Sequence, residues 1–113
     1  DRPTADYYDW PTGPFDAIIC LEVIEHLPEQ VVGLKEMRDR LAPGGVLFLS
    51  TPVAGFWSCK EAVREDCIYD WFGHLHSNSK ESLTKKIEQA GLGGNLSTTD
   101  DGEFFFACLS RAE

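Results

Sequence analysis

The sequence predicts an α/β fold, a mostly parallel sheet finished by an antiparallel hairpin, and three observations carry that expectation. Two nearly continuous apolar runs, Phe15–Leu21 and Val46–Thr51, stand either side of a segment with helical period. A strand, a helix of about a dozen residues and a second strand make a βαβ unit, whose two strands run parallel. Near the end of the chain, Asp101-Gly102 lies between two further strand-like runs, a sequence signature of a tight hairpin turn.

The elements follow in order. Residues 1–14 are rich in Pro, Asp, Tyr and Gly and read as an irregular lead-in. Phe15–Leu21 is apolar almost throughout, which suits an interior strand buried on both faces. Pro28 permits a helix to begin just after it, and Glu29 places negative charge at its start. Val31, Val32, Leu34, Met37, Arg38 and Leu41 keep the helical period, which Pro43-Gly44-Gly45 is expected to stop. Val46–Thr51 is the second buried strand, closed by Pro52. Residues 53–78 show no clean period and are long for a connection. Ser79 to Gly91 reads as a helix capped by Ser79, with Leu83, Ile87 and Ala90 as its buried stripe. Residues 95–99 and Phe104–Leu109 form the closing hairpin. Two parallel strands and a hairpin do not supply enough structure to cover both faces of such a sheet.

Composition narrows the classes. The 113 residues make one small domain at most. Ten basic against nineteen acidic residues give a net charge of −9, which weighs against adhesion to phosphate backbones or anionic lipid. No apolar run approaches the roughly 20 residues that span a bilayer. Cys20, Cys59, Cys67 and Cys108 form no C-x-x-C pair, and Cys20 and Cys108 sit in apolar strand-like runs. Buried, reduced thiols and a cytoplasmic setting are therefore expected.

Three patches, in this order, resemble class I S-adenosylmethionine-dependent methyltransferases. Phe15-Asp16-Ala17-Ile18-Ile19-Cys20 running into Glu25-His26-Leu27 is similar to that family's fourth strand and the turn after it. Leu41-Ala42-Pro43-Gly44-Gly45-Val46-Leu47 is similar to the approach to its fifth strand. His74-Leu75, Ser79-Lys80-Glu81-Ser82-Leu83 and Ala90-Gly91-Leu92 look like its late helix before the terminal hairpin. The resemblance implies that residues 1–113 are the C-terminal part of a Rossmann-like methyltransferase sheet. No Gly-x-Gly-x-x-Gly loop follows a strand here, so the implied unit is a partial domain without the glycine-rich cofactor loop. On its own it is expected to bind cofactor weakly and to be inactive. The segment around Asp6 resembles the place where the family's Asp accepts a hydrogen bond from the adenine amino group, although an Asp there also suits a simple turn. Leu21 and Glu22, at the strand end, would border the same cofactor.

Glu22, Glu25 and His26 fall at i, i+3 and i+4, so a helical turn would present all three on one side. That turn would lie at the carboxyl end of a parallel strand, where α/β folds place ligands. Two carboxylates and an imidazole suit Mg²⁺ or Mn²⁺, and His74, or less aptly His76, could complete the set. The Glu-x-x-Glu-His pattern is similar to ubiquinone-biosynthesis O-methyltransferases and to small-RNA 2′-O-methyltransferases, in which a metal grips vicinal hydroxyls. A Glu-His pair also occurs without metal, where the His orients the substrate or packs locally. Trp57, Tyr69, Trp71 and Phe72 could form an aromatic lid, or equally a plug over the sheet edge. Taken with the resemblance, Glu25 and His26 are the candidate catalytic residues and Asp6, Leu21 and Glu22 the candidate cofactor contacts. Glu22, Glu25, His26 and His74 are the candidate metal ligands. The function implied is methyl transfer from S-adenosylmethionine to an oxygen of a small molecule. The alternatives are a metal-dependent RNA 2′-O-methyltransferase and a non-catalytic interaction module.

Overall fold

The computed structural model describes residues 8–53 and 78–112. Strand β1 (Phe15–Leu21) leads through a short 3-10 turn (Ile24–His26) into helix α1 (Gln30–Asp39) and strand β2 (Leu41–Pro52). Helix α2 (Lys80–Gln89), strand β3 (Leu92–Thr98) and strand β4 (Phe104–Arg111) complete the order. The βαβ unit, the late helix and the hairpin are all present.

The four strands lie in one sheet in the order β1-β2-β4-β3. Only β1 and β2 pair parallel, while β4 runs antiparallel to both β2 and β3. Among the described strands the sheet is therefore mixed and mostly antiparallel, which corrects the expected mostly parallel arrangement. The reversed strand is not an appendage at the edge. It inserts between β2 and β3, and a single reversed strand with two neighbours makes both of its ladders antiparallel.

Alternation along the strands sets a buried face and one that, among the described residues, is bare. Leu47, Leu49 and Thr51 of β2 and Phe105, Ala107 and Leu109 of β4 are buried beneath the helices. Leu34 and Met37 of α1 and Leu83 and Ile87 of α2 join them in one core. The residues between, Ile19, Phe48 and Phe106, point the other way and are 69%, 42% and 48% exposed. Two expectations fail for this reason. Strand β1 is not buried on both faces, and Cys108 is exposed, because each faces the uncovered side.

The approach to β2 also differs from expectation. Helix α1 ends at Asp39, and Pro43-Gly44-Gly45 lies inside the range of β2 instead of ahead of it. Phe15 pairs with Leu41 but Ala17 pairs with Val46, so β2 bulges where β1 runs straight. Gly44 takes φ +80°, and a Cβ on Gly45 would meet the Phe15 and Ala42 carbonyl oxygens at 2.9 and 3.0 Å. The glycine pair thus makes the bulge.

Side chains close the helix ends. Ser79 accepts from the Ser82 amide, and Ser82 Oγ accepts from the Ser79 amide, a reciprocal cap that bears out the expected start of α2. Glu29, ahead of α1, makes no side-chain cap. The Tyr8 hydroxyl instead accepts from its amide and donates to its carbonyl, both at 3.0 Å. Arg40 donates to the Tyr8, Trp10 and Pro11 carbonyls and so holds the lead-in against α1. No helix among the described residues is long and apolar enough to cross a membrane.

Gly45→Ala should destabilise the chain by about 1–3 kcal/mol, because the new methyl meets backbone that cannot swing aside. Gly44→Ala faces open space and should cost only the left-handed backbone, about 1 kcal/mol. Urea unfolding of both variants checks this, and a larger loss in Gly44→Ala than in Gly45→Ala would contradict the bulge geometry.

Candidate functional site

The strongest concentration of chemistry lies where β1 and β2 end at their carboxyl ends. The chain leaves β1 through Glu22, a non-glycine residue at φ 59°. Such left-handed backbone persists where its surroundings hold it. Here the Glu22 amide donates to the Ser50 carbonyl at 2.9 Å, and Ser50 Oγ donates to Glu22 Oε2 at 2.7 Å. One residue along β2, Thr51 Oγ1 donates to Glu25 Oε1 at 2.9 Å.

Ser50 and Thr51 are adjacent on a strand, so their side chains leave opposite faces of the sheet. Glu22 is therefore drawn to the bare face and Glu25 to the helix-covered one. This corrects the expectation that Glu22, Glu25 and His26 share one side. That expectation needed a helix running through Glu22, whereas the 3-10 turn begins at Ile24, after the left-handed corner.

Burial and charge follow the same division. Glu25 is 2% exposed. Burial pushes its carboxyl above the ordinary carboxylate range, and the charge of Glu22 adds to this. The Glu25 backbone amide, the Thr51 hydroxyl and His26 oppose the shift. The His26 imidazole is half-open to solvent, with Nε2 3.7 Å from Glu25 Oε2, an electrostatic contact beyond hydrogen-bond length. Cys20, beneath the corner, has its thiol pushed up to about 12 by burial and then by the charges of Glu25 and Glu22. Leu21 is 56% exposed and Val23 is exposed beside it, so an apolar ledge flanks the Glu22 carboxylate. An open groove lined by Trp10, Phe15, Ile19 and Val23 continues along β1, an end strand of the sheet among the described residues.

Among the described residues, no group of three or more His, Cys, Asp or Glu could hold a metal ion. Of the donor set expected for Mg²⁺ or Mn²⁺, Glu22 and Glu25 are engaged separately by the Ser50 and Thr51 hydroxyls, so these described members do not gather into a ligand group. Asp6, His74 and His76, the aromatic residues Trp57, Tyr69, Trp71 and Phe72, and Cys59 and Cys67 lie outside the described residues. Sequence reasoning missed Ser50, Thr51, Gln30 and Asn78. A signal for the first two existed, since a hydroxyl pair closing an otherwise apolar strand is an odd choice for a core.

Glu25 binds its proton more readily in the folded than in the unfolded chain. Stability linked to it is therefore complete at low pH and is lost as pH rises through its raised pKa. Glu25→Gln keeps an oxygen to accept from Thr51 and removes the buried charge. The variant should melt higher than the parent at neutral pH, with the two curves merging below the ordinary carboxylate range. A variant that melts lower at neutral pH would contradict this account.

Comparisons with known proteins bear on what such a corner serves. Residues 2–94, well over half of the chain, match the model of a family described as a methyltransferase domain. A ubiquinone biosynthesis O-methyltransferase from Xanthomonas campestris pv. campestris (strain B100) is 46% identical over 39 residues, which is 34% of this chain and 16% of that protein. The match thus spans well under a fifth of that relative's length. Among solved structures, the DhpI–SAH complex superposes with a TM-score of 0.69 at 21% identity, over 95% of this chain and 52% of that one. The O-methyltransferase NcsB1, solved with S-adenosyl-L-homocysteine and 1,4-dihydroxy-2-naphthoic acid, superposes at 0.67 with 15% identity, over 93% of this chain and 32% of that one. Family match and superposition agree: the chain belongs to the methyltransferase-domain family, with the fold of the class I S-adenosylmethionine-dependent enzymes.

Proposed function

We propose that this chain, joined to a glycine-rich cofactor loop, transfers a methyl group from S-adenosylmethionine to an oxygen of a small-molecule acceptor, at the corner formed by Glu22 and the 3-10 turn. The observation that carries this reading is the open His26 imidazole held beside the buried Glu25 carboxylate at the carboxyl end of the parallel pair. An imidazole backed by a carboxylate can take the proton of an acceptor hydroxyl, and the carboxylate steadies the cation that results. Glu25 is too deeply buried to touch an acceptor, so it acts as a positioning residue behind His26.

The exposed Leu21 and Val23 beside the Glu22 carboxylate fit a cofactor that combines a flat adenosine with a cationic centre. Asp6, ahead of the described residues, is assigned to the adenine amino group by its sequence context. When bound, the cofactor supplies a methyl group activated by positive charge on sulfur. The chain's own part is to place the acceptor oxygen in line and to keep water out, which accounts for most of the catalysis in such displacements. A small acceptor is favoured over RNA by the net charge of −9. The ubiquinone-pathway name of the relative and the dihydroxynaphthoate bound to NcsB1 support a hydroxylated aromatic. A reducing, cytoplasmic setting belongs to the same reading, since Cys20 and Cys108 are free thiols.

In a longer protein that joins this chain to a glycine-rich cofactor loop, His26→Ala should lower kcat/KM toward 1,4-dihydroxy-2-naphthoic acid by about 10²–10⁴-fold, the range for loss of a general base. Binding of S-adenosyl-L-homocysteine, read by calorimetry, should be unchanged. Transfer at the parental rate by the variant would defeat the proposal.

A further inference from the structure

Behind the 3-10 turn runs a chain of polar side chains that the proposed chemistry leaves unused. Gln30 and Asn78 are both buried. Gln30 Nε2 donates to the Ile24 carbonyl at 3.1 Å, the first carbonyl of the turn that bears Glu25 and His26. Gln30 Oε1 accepts from Asn78 Nδ2 at 3.3 Å and from Lys86 Nζ at 2.8 Å. Lys86 Nζ also donates to Asn78 Oδ1 at 2.7 Å, and Ser82 Oγ donates to the same oxygen at 3.0 Å. A parallel bridge to Val53 pins Asn78 beside the end of β2.

A seam between two helices is ordinarily filled by apolar side chains, and buried polar groups there add geometric definition more than stability. The Gln30 amide has two unlike ends. Its NH₂ end suits the Ile24 carbonyl only while its oxygen faces a donor on the other side. The Lys86 ammonium enforces that orientation, because a flipped amide would set NH₂ against NH₃⁺ and oxygen against oxygen. An ammonium on α2 is thereby linked, through one amide, to the turn that presents His26.

We infer that Lys86, acting through Gln30 and Asn78, is a positioning residue that holds the Ile24–His26 turn in register with the ends of β1 and β2. This role rests on the transferase reading, because it concerns where His26 stands relative to an acceptor. Lys86→Met keeps the aliphatic stem and removes the charge. Lys86→Arg restores donors to both oxygens. Gln30→Glu keeps acceptors for Lys86 and Asn78 but removes the donor to Ile24.

Two readouts test the inference. Amide exchange at His26 and Leu27, whose N–H groups close the turn on Val23 and Ile24, needs no acceptor. It should quicken in Lys86→Met and Gln30→Glu while exchange at Leu49 in β2 holds. In the longer protein that carries the cofactor loop, transfer to 1,4-dihydroxy-2-naphthoic acid should fall on the order of tenfold or more in both and recover in Lys86→Arg. In a His26→Ala background, Lys86→Met should cost nothing further. Unchanged exchange in the turn overturns the inference, as does a loss that is fully additive with His26→Ala. If exchange quickens but His26→Ala itself transfers at the parental rate, the transferase assignment of the corner falls and the positioning role falls with it. Should Lys86→Met unfold, Gln30→Glu reads the same link with the lysine in place.

Discussion

Alternation along the last residues of β2 organises the whole carboxyl end of this sheet. Ser50 and Thr51 face opposite sides, and each donates a hydroxyl to one carboxylate. Everything nearby adjusts to that division. Glu22 must stand on the bare side, which requires the chain to turn through a left-handed residue as it leaves β1. Glu25 must stand on the helix side, which draws Ile24 into the core and tightens the next residues into a 3-10 turn. His26 is left at the rim. A one-residue slip of β2 would exchange the two hydroxyls and dissolve the arrangement, so register here is a chemical constraint as well as a packing one.

The same alternation explains why the sheet is stable on one side and apolar on both. Core Leu and Phe residues of β2 and β4 pack under α1 and α2, yet Ile19, Phe48 and Phe106 carry comparable apolar surface on the opposite face. A strand that is hydrophobic throughout is the pattern of a sheet covered twice. The parallel pair, the inserted reversed strand and the solved structures that superpose on nearly all of this chain agree on the architecture to which that pattern belongs.

Much of this was legible in the sequence, for identifiable reasons. Apolar runs, helical period and the Asp-Gly turn gave the elements, because each reflects a local rule. The Ser79 cap was readable for the same reason. What escaped were outcomes decided between elements. Whether β4 lay at an edge or between two strands depends on non-local pairing, and with it the parallel character of the sheet. The end of α1 is not legible because Pro43-Gly44-Gly45 signals a break without saying whether a helix or a strand is broken. The spacing of Glu22, Glu25 and His26 fits one helical face, but a single left-handed residue between strand and turn undoes any helical count.

Burying Glu25 is an unusual choice that explains the polar residues around it. A carboxylate under a sheet is costly unless it is hydrogen-bonded, and Thr51 with the turn's own amide supplies only part of what water would give. An apolar residue at this position would pack the core at least as well. What an apolar residue cannot do is place negative charge 3.7 Å behind an imidazole while keeping solvent from the carboxylate. The surrounding amides and the Lys86 ammonium then have a consistent purpose. In the proposed positioning role they fix a turn by where it holds its charged atoms, and a core chosen for stability alone would have neither the carboxylate nor its supports.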